Sequence, residues 1–91
     1  MSKQVIWTNQ FKKDYKLAMK RELPIEELDN VIRLLAEDEP LPEKYRDHDL
    51  SGNWKGFREC HIQSNWLLIY HIFNNNLILS LARTGSHSDL F

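Results

Sequence analysis

Apolar positions recur every three or four residues in the first half of the chain and every one or two in the second, a change of period that predicts helices followed by strands. Gln4 to Trp7 is a short β-prone run, and Thr8 or Asn9 after it can cap a helix. Phe11, Tyr15, Ala18 and Met19 then form a helical stripe, with Lys12, Lys13, Lys16, Lys20 and Arg21 on the other faces. Pro24 suits the first turn of a second helix, whose stripe is Leu28, Val31, Ile32 and Leu35 and whose end is set by Pro40 and Pro42. Three strands follow: Trp54 to Ile62, Trp66 to Phe73 and Leu77 to Thr84. Gln63-Ser64-Asn65 and Asn74-Asn75-Asn76 are short links, the latter a turn signal because Asn tolerates left-handed backbone. The expected fold is α+β in the order βααβββ: an antiparallel three-strand meander joined at an edge by the N-terminal strand, with both helices on one face.

Length and composition narrow this picture. The 91 residues allow one domain, spanning 1–91, and 42% hydrophobic residues suffice to build its core. One cysteine, Cys60, cannot form an internal disulfide. The first twenty residues lack the apolar stretch of a secretion signal, so a soluble, cytoplasmic protein without membrane contact is expected.

A net charge of −1 argues against a polycation that holds nucleic acid by charge alone. That average hides a strong segregation. Residues 12–21 carry a net +4, residues 22–45 a net −6, and residues 46–91 four charges of each sign. All four histidines lie in the last segment.

Three polar stations interrupt the apolar second half: Arg46-Asp47-His48-Asp49, His61, and the stretch from Arg83 to Phe91 with His87. In a meander, loops and chain ends at one edge converge, so the three can line one face. His71 shares a strand face with Leu67, Ile69 and Phe73 and is assigned to structure. Cys60 and His61 are adjacent on a strand and point to opposite faces, which weakens a cysteine nucleophile. One cysteine and scattered histidines lack the spacing of a zinc site, and three glycines cannot supply a phosphate or dinucleotide loop, so no metal or cofactor is expected. Arg83 offers a donor fork suited to a phosphate, and Phe91 a terminal aromatic able to stack on a base.

The blocks YRDHDLSGNWKGFRECHI, NWLLIYHI and LARTGSHSDLF, in this order and spacing, resemble the YafQ-type branch of the RelE/ParE toxin superfamily over essentially the full length. The resemblance implies a RelE-like fold and a toxin of a bacterial type II toxin–antitoxin pair. Such a toxin cleaves messenger RNA on the ribosome without a metal, and its antitoxin blocks it and mediates operator DNA binding. It places catalytic roles on His48, His61, Arg83 and His87 and the C-terminal aromatic on Phe91, and matches Trp66 to the tryptophan of the family's Asp-Trp pair, a candidate RNA contact. Lys12, Lys13 and Lys16 are candidate RNA contacts on the basic helix. Asn65 departs from the family pattern, an amide where the family has an aspartate. It cannot ionise and so cannot serve as a general base. Three readings follow: a positioning role that Asn fills, lowered activity, or a change introduced to make the toxin tolerable.

Under the first reading, His87 is the general acid, His61 or His48 the base, Arg83 the clamp on the charged transition state, and Asn65 a hydrogen-bonding orienter. Two alternatives remain: a weakened homologue acting through antitoxin binding and operator repression, and a ParE-like inhibitor of DNA gyrase, which needs no histidine cluster.

Overall fold

A computed structural model describes residues 2–91. Its strands are β1 (Gln4–Trp7), β2 (His48–Asp49), β3 (Arg58–Gln63), β4 (Trp66–Phe73) and β5 (Ile78–Gly85), and its helices α1 (Asn9–Lys20), α2 (Ile25–Ala36) and α3 (His87–Leu90). They form one five-stranded sheet in the order β1-β5-β4-β3-β2. The β3-β4-β5 meander is antiparallel, and β1 joins its edge parallel to β5. The expected α+β architecture is present, extended by the two-residue β2 and the terminal turn α3.

The central strand β4 is apolar on both faces, and each face builds a core. Trp66, Leu68 and Tyr70 pack with Phe11, Leu28, Val31 and Leu35 of the two long helices. On the opposite face Leu67 and Ile69 pack with Leu90, Leu50, Trp54, Phe57 and Ala82, a smaller cluster. That thinner face leaves room for polar chemistry.

Several local expectations shift. Thr8 is the cap of α1, its hydroxyl accepting from the Phe11 N–H. The buried stripe of α1 is Phe11, Asp14 and Ala18, with Tyr15 partly covered, whereas Met19 is 56% exposed. α2 ends at Ala36, before either proline, because Asp38 turns left-handed at φ 59° and its carboxylate pairs with Lys3. The strand expected from Trp54 starts only at Arg58, since Gly56 at φ 94° breaks the extended run and Trp54 closes a 3₁₀ turn. Asn74, Asn75 and Asn76 all have positive φ, as the turn reading requires. Among the described residues no helix is long and apolar enough to cross a membrane.

Candidate active site

Strand alternation sets out the site. Along β3, Cys60 and Ile62 enter the helix-side core, so Glu59 and His61 stand on the opposite face. β2 pairs His48 with Glu59, which adds a second imidazole to that face. The loop carrying His48 is anchored from below. Arg58 Nη2 donates to Asp47 at 3.0 Å, and the buried Tyr70 hydroxyl also donates to Asp47. Burial and Asp47 push the Tyr70 phenol well above its ordinary range, so it stays a donor.

The His48 Nδ1 lies 2.7 Å from the Arg46 carbonyl oxygen, an acceptor, so Nδ1 carries a hydrogen and Nε2 is the atom left to accept in a neutral ring. Glu59 is nearly buried between the imidazoles, its Oε1 3.3 Å from His48 Nε2 and 3.6 Å from His61 Nε2. These three donor atoms lie within 4.8 Å of one another.

The third imidazole arrives on α3. Ser86 and Asp89 form a reciprocal capping box, and Leu90 seats the turn on Leu67 and Ile69. The Asn65 side-chain oxygen accepts from the His87 backbone N–H at 3.3 Å, tying the β3–β4 link to α3. Arg21, which caps the C-terminus of α1, donates to Asp89 at 2.7 Å. This guanidinium, with the Ser86 backbone N–H, holds the Asp89 carboxyl well below the usual carboxylate range. Gly85 gives α3 room to fold back, because a Cβ there would approach the Asp89 side chain at 3.0 Å, tighter than an ordinary contact. The result is a row: His48 and His61 ring centroids are 6.1 Å apart, His61 and His87 6.1 Å, and His87 and Phe91 6.0 Å. Phe91 is 59% exposed.

Arg83 lies on β5, the strand that leads into α3. Strict alternation from Leu79 and Leu81 would bury it beneath the helices. A bulge at Ala82 instead pairs Arg83 with Ile69, on the site's face. Its guanidinium turns to α1, where Nε and Nη2 donate to the two oxygens of Asp14 at 2.8 and 3.2 Å. That carboxylate raises the already high pKa of Arg83.

The structure thus brings together His48, His61, His87, Asn65 and Phe91, while Arg83 lies on β5 with its guanidinium held at α1. Lys12, Lys13 and Lys16 are exposed on α1. Trp66, expected as an RNA contact, is corrected. It is 2% exposed in the helix-side core, so its ring has no surface on which a base could stack. His71 lies outside the site, its Nδ1 2.6 Å from the Gly56 carbonyl and its ring flanked by Phe57 and Phe73. Glu59 and Asp14 were not anticipated. Each had a signal: Glu59 is two residues from His61 on one strand, and Asp14 interrupts an apolar helical stripe three residues after Phe11.

Comparison with known proteins accords with this fold. The family model described as bacterial toxin of type II toxin-antitoxin system, YafQ, matches residues 3–91. The chain belongs to the YafQ toxin family. It is 38% identical to the mRNA interferase toxin YafQ of Escherichia coli (strain K12), covering 100% of this chain and 98% of that protein. A crystal structure of the E. coli DinJ-YafQ toxin-antitoxin complex superposes with a TM-score of 0.90 at 38% identity, covering 100% of this chain and 99% of that one. A crystal structure of a metal-bound toxin from Helicobacter pylori gives a TM-score of 0.90 at 41% identity, with both chains fully covered.

Proposed function

We propose that this chain, an mRNA interferase and hence an endoribonuclease by family, cuts messenger RNA on the ribosome by metal-independent acid–base catalysis. The observation that carries this reading is the row of three imidazoles at 6.1 Å spacing. The base, His48 through the Nε2 that faces Glu59 or the central His61, takes the 2′-hydroxyl proton. The 2′-oxygen then bonds to phosphorus, the P–O5′ bond breaks, and His87 delivers a proton to the departing 5′-oxygen. The products are a 2′,3′-cyclic phosphate and a 5′-hydroxyl. Arg83 stabilises the charge that gathers on the phosphoryl oxygens, and Phe91, beside His87, stacks on a flanking base.

Exposed Lys12, Lys13 and Lys16 on α1 suit ribosomal RNA. A cognate antitoxin is the expected protein partner, since the E. coli relative is found with DinJ, and the antitoxin complex would engage operator DNA. The decisive assay is translation of a reporter by purified ribosomes, with ends mapped by primer extension. Cuts should require the ribosome, spare DNA, and weaken when Lys12, Lys13 and Lys16 are reversed to glutamate. Absence of cuts together with impaired gyrase supercoiling would favour the ParE-like alternative.

The Asn65 contact supports a positioning role, because its bond to the His87 N–H needs an oxygen acceptor and no charge. Asn65→Asp is therefore expected to change the single-turnover rate by no more than about threefold, well below the contribution typical of a general base. A gain of tenfold or more would mean that an ionisable group was missing and that this chain is the weakened homologue.

His48, Glu59 and His61 also form a donor set suited to a divalent transition ion, and the H. pylori relatives include a metal-bound and a copper-bound toxin. An ion there would occupy the imidazole nitrogens that the acid–base reaction needs. Added copper(II) should inhibit cleavage, and a chelator should restore it. Stimulation by the ion would overturn the metal-independent mechanism.

A further inference from the structure

α1 reaches the site through one buried side chain. Asp14 is 8% exposed, yet it lies on the stripe that also carries Phe11 and Ala18 into the core. β1 ends at Trp7, and beyond it the edge of β5 has no strand partner. α1 fills that edge. The Thr8 N–H and hydroxyl bond to the Leu81 carbonyl, and further along the helix Asp14 Oδ2 accepts the Thr84 backbone N–H at 3.2 Å. The same carboxylate accepts from Arg83 Nε at 2.8 Å and Nη2 at 3.2 Å and from Gln10 Nε2 at 3.1 Å. Four donors converge on one carboxylate, and two of them come from the residue that carries the free guanidinium edge.

We infer that Asp14 is a positioning residue for catalysis, holding Arg83 by a two-point grip so that its Nη1 edge meets the scissile phosphate. This rests on the proposed role of Arg83 at the phosphate. A guanidinium on a three-carbon stem has many rotamers, and a phosphate clamp must be in place before charge develops. The paired fork removes that freedom, because only one orientation satisfies both oxygens. The alternative, in which Arg83 leaves Asp14 to reach the RNA, would strand a buried carboxylate with no other cation in its hydrogen-bond shell, an unfavourable exchange. The grip therefore persists in the working state. Lys13 and Arg21 line the same cleft of about 290 Å³ with Asp14, Arg83 and Asp89, so the cation sits where an anionic backbone is drawn in.

The test uses the ribosome-programmed cleavage assay. Asp14→Asn keeps the shape and one oxygen but removes the charged two-point grip. It should lower kcat by about 10- to 100-fold, as for a misplaced catalytic group, with little change in KM. In an Arg83→Ala background the same substitution should change the rate by less than about twofold, because its effect passes through Arg83. An equal loss in both backgrounds, or no loss in either, would overturn the inference. Full activity of Arg83→Ala alone would remove the reading of Arg83 beneath it. A second measurement needs no variant. In the unmodified protein the Arg83 Nε–H proton should give a resolved, slowly exchanging NMR signal. A signal averaged with those of surface arginines would show that the grip does not hold and sink the proposal.

Discussion

Replacing His87 by alanine is expected to reduce ribosome-dependent cleavage by roughly 10²- to 10⁴-fold, the span associated with loss of a positioned general acid. The structure makes this a clean substitution. His87 is exposed, and its contact with Asn65 runs through its backbone N–H, which alanine retains. Alanine also favours the helical turn at least as well as histidine. The capping box, Leu90 and the Arg21–Asp89 pair all stay in place, so α3 should remain docked and the melting temperature nearly unchanged. What disappears is the proton for the 5′-oxygen. A messenger RNA with one sulfur in place of the bridging 5′-oxygen at the cut site separates this role from simple binding. Thiols ionise near pH 8.5, so a thiolate leaves without an acid. The variant should regain most of its rate on that substrate. Equal cleavage by parent and variant on ordinary RNA, or an equal deficit on both substrates, would remove His87 from the acid role.

The large features of the fold were legible because period and turn chemistry point the same way. The pattern predicts β4 with its observed bounds, Trp66 to Phe73, because eight residues apolar at every position but His71, set between two Asn-containing links, have little else to become. The errors share a cause. Pro40 and Pro42 predict the end of α2, yet the chain turns earlier, where Asp38 adopts a left-handed conformation and meets Lys3, 35 residues away. Met19 was placed on the buried stripe of α1 by hydrophobicity, whereas α1 rolls to direct Asp14 inward. Both choices depend on partners more than thirty residues away, which local pattern does not contain.

The site was legible to the extent that β topology determines it. Three histidine stations separated by about a dozen or more residues converge because β2, β3 and the end of β5 lie side by side or face one end of β4. Two acidic residues carry little signal in the sequence. Glu59 was hidden in a strand read for its apolar content, and Asp14 in a helix read for its basic face. The bulge at Ala82 was also invisible, since one extra residue in LARTG leaves no mark on alternation until its partner strand is known. That bulge decides which face Arg83 occupies.

Arg83 is expected to be the second most costly side chain to lose. Arg83→Ala should lower cleavage by about 10²- to 10³-fold, as for removal of one transition-state donor in an acyl-transfer site. It should also destabilise the fold, because it leaves the Asp14 carboxylate, 8% exposed, without its cation. Rates must therefore be compared well below the melting temperature of the variant. Arg83→Lys separates the two effects. An ammonium keeps the charge opposite Asp14, and stability should largely return, but a point charge cannot hold both carboxylate oxygens and present a second edge to a phosphate. The lysine variant should thus melt close to the parent while cutting at least about tenfold more slowly, given the preference of planar phosphate recognition for a fork. Parent-like cleavage by Arg83→Lys would mean that charge alone suffices at this position, and parent-like cleavage by Arg83→Ala that the phosphate is stabilised elsewhere. The first result would confine the geometric role of the bulge and of Asp14 to folding; the second would move the clamp to the histidine row itself.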